Sequence, residues 1–257
     1  TNTLDKYQAG QMMGDIYGYE TIGIAKSKDE MDQHLASLPN GGQNALGTNW
    51  DAGDIMYKDL NGDGKIDNGG NKYDDMGDMK KIGNNTPRYL FGLDLNADYK
   101  GFDFRAFFQG VMKRDYWQGS AYFWGATSLW HSTGFVEHAD YFRAEASNDL
   151  PANLNAYYPR PVFDSSKNRQ KQTAYLQSAA YIRLKNVQLG YTLPANLTHK
   201  FYVSKLRVFV SGENLWTGTS LANMFDPETI GGGDDTDKNG NAYPLSKTIS
   251  FGISVTL

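Results

Sequence analysis

Hydrophobic and polar residues alternate with a period of two along 88–112, RYLFGLDLNADYKGFDFRAFFQGVM. Tyr89, Phe91, Leu93, Leu95, Ala97 and Tyr99 share one parity; Leu90, Gly92, Asp94, Asn96, Asp98 and Lys100 share the other. Such a period marks a strand with one apolar and one polar face. After Lys100-Gly101 the pattern resumes, with Phe102, Phe104, Ala106 and Phe108 on one side and Asp103, Arg105, Phe107 and Gln109 on the other. A two-residue turn at Lys100-Gly101 sets Tyr99 against Phe102, Ala97 against Phe104 and Leu95 against Ala106, so the apolar sets fall on one side. Lys100 must then accept a positive φ.

Two environments suit such a hairpin. In a soluble sandwich the apolar face is core. In an outer-membrane barrel it meets lipid, and the polar face lines a wet lumen. Strands of about ten residues match a tilted bilayer crossing, whereas soluble strands average nearer five or six. Tyr99, Phe102 and Phe104 crowd the turn as an interfacial girdle would. The barrel is therefore preferred, with Asp94, Asn96, Asp103, Arg105 and Gln109 facing the lumen. Arg105, opposite Asn96, is placed to neutralise Asp94 or Asp98.

The rest of the chain repeats the signal. In 181–193 the apolar phase slips, Ile182 and Leu184 on one parity, Val187, Leu189 and Tyr191 on the other. A β-bulge near Lys185-Asn186 restores a single apolar side. A turn or one helical turn follows at 194–200, then a strand over 206–216. The end, 248–257, sets Ile249, Phe251, Ile253, Val255 and Leu257 against Thr248, Ser250, Gly252, Ser254 and Thr256. Near the start, 15–26 reads as a strand. Ser27 and Glu30 form a capping box for a short helix bearing Met31, Leu35 and Leu38, stopped by Pro39-Asn40-Gly41-Gly42. About six or seven long antiparallel strands are expected.

Composition narrows the choices. There is no cysteine, which excludes disulfides and thiolate metal sites. A formal charge of −4 lacks the basic footprint that nucleic acid demands. No apolar run of about eighteen residues exists, and the mean hydropathy is −0.58, so no transmembrane helix is expected. Barrel strands escape that criterion because half their residues are polar. The opening TNTLDKYQAG has no signal-peptide pattern, which for an outer-membrane protein implies a mature form or a fragment.

The most specific short motif lies at 53–67, GDIMYKDLNGDGKID. Asp59, Asn61, Asp63, Gly64 and Asp67 fit the first, third, fifth, sixth and ninth places of a D-x-N-x-D-G calcium loop, and Lys65 adds a backbone carbonyl. The twelfth place is Gly70, leaving Asp74, Asp75 or Asp78 to close the shell. A structural Ca2+ is expected here, the bland alternative being an Asx-rich turn without metal. Asp235, Asp237, Asn239 and Gly240 echo the motif more weakly. The stretch 113–177 has no sustained period but carries Trp117, Tyr122, Trp124 and Trp130, suited to stacking on a ligand or to a protein partner. Catalysis has no foothold. The four histidines are scattered, with His131 and His138 straddling Glu137 at no metal-helix spacing, and no nucleophile elbow or phosphate loop occurs. No enzyme is expected.

The order YGYETIGIAKSKDEMD, GDIMYKDLNGDGKID, IGNNTPRYLFGLDLNADYKGFDFRAFFQG, YIRLKNVQLGYTLP, LRVFVSGENLW and SFGISVTL resembles the SusC/RagA-type TonB-dependent transporters, in their C-terminal part. The resemblance implies an all-β fold, an antiparallel transmembrane β-barrel of roughly twenty-two strands. This chain (1–257) would be its C-terminal segment, with long extracellular loops at about 27–87, 113–177 and 217–246 and the N-terminal plug domain absent. It also implies import of nutrient oligosaccharides or peptides across the outer membrane of a Gram-negative cell, under a SusD-like surface lipoprotein. TonB would act indirectly, through the plug. The family closes on an aromatic residue, most often Phe, where this chain has Leu257. The rival reading from the residues alone is a soluble, calcium-dependent, glycan-binding β-sandwich.

Overall fold

A computed structural model describes residues 3, 4, 6, 9–130, 134–147, 149–231 and 243–257. It divides into two compact units. One comprises the described residues of Thr1–Thr86 and Asp115–Gln177 with Gly231; the other comprises Pro87–Arg114, Ser178–Ile230 and Tyr243–Leu257.

The second unit is a single antiparallel sheet of five strands: β1 (Arg88–Tyr99), β2 (Phe102–Lys113), β3 (Tyr181–Thr192), β4 (Lys205–Thr219) and β5 (Thr248–Thr256). They lie in the order β5-β4-β3-β2-β1, leaving β1 and β5 as open edges. Among the described residues five long strands form, where six or seven were expected along the chain. The stretch 15–26 is not one of them, because it splits at Glu20. Asp15–Tyr19 pairs with Met79–Asn84, whereas Thr21–Ile24 pairs with Ile55–Tyr57. The two halves have different partners, and Lys58 and Lys80 hold the Glu20 carboxylate at the break.

The β1–β2 hairpin has the expected register, Tyr99 opposite Phe102, Ala97 opposite Phe104 and Leu95 opposite Ala106. Lys100 and Gly101 sit at φ +47° and +87°, the doubly positive turn whose twist suits a hairpin. Between β2 and β3 the register shifts by one residue, so that Phe107 faces Asn186 and Phe108 faces Leu184, with Lys185 left over. This is the bulge the slipped phase calls for. Ile182, Leu184, Val187, Leu189 and Tyr191 then all lie on the side of Gly110, Phe108, Ala106, Phe104 and Phe102. Strand β4 carries a matching irregularity between Glu213 and Trp216.

One face of the sheet is consequently apolar from edge to edge, ending on Ile249, Phe251, Ile253 and Val255 of β5. Nothing among the described residues covers it: Phe251 is 84% exposed and Ile253 71%. The other face carries Asp94, Asn96, Asp103, Arg105, Gln188 and the Ser/Thr row of β5. Phe107 and Phe209 interrupt it, each ring lying against a glycine of a neighbouring strand, Phe107 on Gly92 and Phe209 on Gly252. A ring over a glycine shields backbone that would otherwise lack cover. Connections are also asymmetric. Lys100-Gly101 and the compact turn 193–204, with Ala195–Thr198 helical, close one end, while 114–180 and 220–247 leave from the other.

The first unit is rich in loops. Ser27 caps α1 (Lys28–Ala36) by accepting from the Glu30 N–H at 3.1 Å, and Glu30 reaches back to the Lys26 N–H at 2.7 Å. Met31 anchors the helix in a hydrophobic core that also encloses a cluster of polar side chains. At its centre the fully buried Asp54 accepts from Arg160 Nε (2.8 Å) and Nη2 (2.7 Å), Lys167 Nζ (2.7 Å) and Asn168 Nδ2 (2.8 Å). Burial works to raise this carboxyl, but the bonds from Arg160, Lys167 and Asn168 outweigh it and hold it below the usual Asp value. Gln43, also buried, accepts from the Tyr57 N–H and donates to the Ile55 carbonyl, tying loop to strand.

Candidate functional site

The five residues expected in a lumen share the polar face of the sheet. Arg105 Nη2 donates to Asp94 Oδ2 at 2.7 Å, and Asn96 Nδ2 donates to Asp94 Oδ1 at 3.1 Å. Asp103 pairs with Arg207, which lies two strands away, by a bond of 2.8 Å from Nε to Oδ2. The pair crosses β3 at Gly190, where any Cβ would collide with the carboxylate and the guanidinium. Gln109 stands opposite Arg183.

Arg183 was not singled out by the sequence, yet it is the most engaged side chain on this face. Only 3% exposed, it donates to Thr217 Oγ1 (2.8 Å), Glu228 Oε2 (2.7 Å) and Asp226 Oδ1 (2.7 Å). Lys185 adds a bond to Glu228 at 2.9 Å. The segment 221–230 is thereby clamped to the sheet, with Leu221, Phe225 and Ile230 buried. Burial pushes the Asp226 carboxyl up, but the Glu228 N–H, Arg183 and the Leu245 N–H together keep it below the usual value.

In the 59–67 loop the oxygens are engaged by the chain itself. Asp59 accepts from the N–H groups of Gly62 (2.6 Å) and Gly64 (2.9 Å), Asn61 from Asp63 (2.9 Å), and Asp63 from Lys65 (3.1 Å). The Lys65 ammonium sits 2.5 Å from Asp67 and 3.9 Å from Asp63, a cation already between two of the expected ligands. Beneath them Asp78 is fully buried and accepts from the N–H groups of Leu60 (2.8 Å) and Asp67 (2.9 Å). Burial raises its pKa, helped by the nearby Asp59 and opposed by the loop N–H groups. Among the described residues, no three His, Cys, Asp or Glu side chains converge where a metal ion would sit. Asp235, Asp237, Asn239 and Gly240 lie outside the described residues, as does His131.

The four expected aromatic contacts separate. Trp117 is buried against Trp124, ring centroids 5.9 Å apart. Trp130 is 93% exposed. Tyr122 stacks on Phe135 at 6.1 Å. Trp124, at the end of the short helix Ala121–Trp124, lines a cavity of about 370 Å³ together with Phe135, His138, Tyr158, Arg160 and Arg169. His138 accepts the Phe135 N–H at Nδ1 (2.9 Å) and lies 3.0 Å from the Phe123 carbonyl at Nε2, which places its proton on Nε2. Sequence reading passed over Arg160 and Arg169, because isolated cations in an aperiodic loop carry no pattern.

No protein-family model matches the chain. Among curated proteins, TonB-dependent receptor P3 of Formosa agariphila is 28% identical over 253 residues, covering 96% of this chain and 22% of its own length. TonB-dependent receptor P26 of the same organism is 26% identical over 260 residues, covering 96% and 23%. Among solved structures, the RagAB peptide transporter matches with a TM-score of 0.60 at 22% identity, over 98% of this chain and 25% of that one. The RagAB peptide importer in its closed-closed state gives 0.57 at 21%, over 98% and 25%. At such identity the structural likeness speaks for the fold. The names are those of receptors and transporters, not enzymes. Over nearly its whole length the chain is thus similar in sequence to TonB-dependent receptors and in fold to the RagAB transporter, and it spans between a fifth and a quarter of the length of these relatives.

Proposed function

We propose that this chain is the C-terminal stretch of barrel wall, with its external loops, of a TonB-dependent transporter in the outer membrane of a Gram-negative cell. The whole protein imports oligosaccharides or peptides beneath a SusD-like surface lipoprotein; likeness to a peptide transporter supports the peptide branch. The observation that carries the reading is the five-stranded sheet itself. An uncovered apolar face of this extent is untenable in water, while two open edges demand further strands. A sandwich would need a second sheet over that face, and none lies there among the described residues. On the polar face, Asp94, Asn96, Asp103, Arg105 and Gln109 would meet a plug by hydrogen bonds and ion pairs. The driving step belongs to the plug and TonB, so this segment supplies wall and vestibule.

The test is fractionation of cells making the full transporter. Recovery in the outer membrane as a heat-modifiable, detergent-requiring species supports the reading; recovery in the soluble fraction without detergent overturns it.

The loop at 59–67 is proposed to hold a structural Ca2+, on the strength of its alternating oxygen side chains and of Asp78 buried beneath. A divalent ion would replace the Lys65 ammonium between Asp63 and Asp67 and favour the ionised form of Asp78.

A further inference from the structure

The cavity beside Trp124 has a chemical bias that the transporter reading leaves unused. Its volume, about 370 Å³, falls within the range of ligand pockets. Its aromatic wall is fixed from behind. Trp124 packs on Tyr175 at 4.8 Å, and His138 packs on Tyr158 at 5.4 Å while both its nitrogens are engaged. Among the described residues no carboxylate lines it, but two guanidinium groups do.

Those two cations differ. Arg160 is neutralised by its paired bonds to Asp54. Arg169 is half-buried, and its direct partner is the neutral carbonyl of Ser165, reached from Nε at 3.1 Å and Nη2 at 2.8 Å. Asp164 acts on it only through space, and burial sets its pKa below that of an ordinary arginine. A buried charge is costly unless paired, and guanidinium pairs best with a planar carboxylate. An aromatic wall adds stacking for a sugar ring or a side chain.

We infer that this cavity binds a carboxylate-bearing ligand, with Arg169 as the anion anchor and Trp124 and Tyr158 as the stacking wall. The inference rests on the transporter reading and narrows its substrate to an anionic class. A peptide terminus and a uronic acid both present the required group.

The full transporter, purified in detergent, is titrated by calorimetry with two pairs of probes. One pair is a tetrapeptide with a free C-terminus and its amide; the other is a galacturonic acid trimer and its methyl ester. In at least one pair the carboxylate form should bind at least about tenfold more tightly than its neutral partner. Arg169→Gln should erase that preference and Arg169→Lys restore part of it. Trp124→Leu should weaken both members of the pair alike. The pair that binds names the source of the carboxylate. Binding of neither carboxylate probe, equal binding of charged and neutral forms, or an unchanged preference in Arg169→Gln overturns the inference. A heat-modifiable barrel showing any of these results leaves the transporter reading intact; absence of a membrane barrel removes both.

Discussion

Leu93→Arg isolates the claim that the apolar face meets lipid. Leu93 lies on β1 opposite Phe108, on the same face as Leu95, Ala97 and the girdle residue Tyr99. It is about six residues from the turn, some 20 Å along a strand and roughly 15 Å in depth at a barrel tilt near 40°. That depth is close to the middle of an apolar band about 25 Å tall, where an arginine costs roughly 2–4 kcal/mol. The folded-to-unfolded ratio should fall roughly 30- to 900-fold. The matched control is Ser211→Arg, also mid-sheet but on the polar face between Gln188 and Ser250. Gln109 is a poorer control, since it stands opposite the buried Arg183, and a second cation there would add repulsion. The assay is the heat-modifiable fraction in outer membranes, with urea titration of barrels refolded into vesicles. Leu93→Arg should lose insertion and Ser211→Arg retain it. Equal defects from both, or a larger one from Ser211→Arg, would show that the faces have been assigned the wrong way round.

Three further predictions follow from single features. Deleting Lys185 removes the extra residue of the β3 bulge and leaves Ile182, Leu184, Val187, Leu189 and Tyr191 in one unbroken alternation with Arg183 still on the polar side, so insertion should be retained, in contrast to Leu93→Arg. Asp226 has a depressed pKa, so its contribution to the clamp on 221–230 is present above the ordinary Asp value of 3.8 and lost as pH falls through the lower folded value. Protease cutting within that segment should rise only in strong acid for the wild type, but already at neutral pH for Arg183→Gln. Asp63→Ala or a chelator should loosen the 59–67 loop without preventing insertion, and loop proteolysis indifferent to both would leave a metal-free turn. Asp78 gives that loop an opposite pH slope: its pKa is raised, so its stabilising contribution is complete below 3.8 and fades as pH climbs through the raised value.

What the sequence disclosed follows from the range of the forces involved. The β1–β2 hairpin and the β3 bulge were legible because period-two alternation records which side each residue faces, and a slipped phase has one simple repair. The α1 cap was legible because Ser27 and Glu30 are three residues apart. By contrast, Asp54 meets Lys167 and Asn168 across more than a hundred positions, and nothing local to Asp54 announces those partners. Arg183 and Asp226 are separated by a strand, a turn and another strand. Phe107 and Phe209 stand on a polar face, and only the register, which sets each beside a glycine of a neighbouring strand, accounts for them. The split at Glu20 was hidden for the same reason, since residues on either side of it are equally strand-like and only their partners differ.

The central claim is most directly tested on β5, the edge strand with the cleanest alternation. This chain contains no cysteine, so single substitutions from Thr248 to Thr256 each introduce one thiol into it. Labelling by a membrane-impermeant maleimide, in outer membranes made permeable to reach both ends of the pore, reads which positions meet water. Thr248, Ser250, Ser254 and Thr256 should label, while Ile249, Phe251, Ile253 and Val255 should be protected until detergent dissolves the bilayer; Gly252 is left unsubstituted because the Phe209 ring covers it. Uniform labelling along the strand, or protection of the serine and threonine positions instead, would contradict the account.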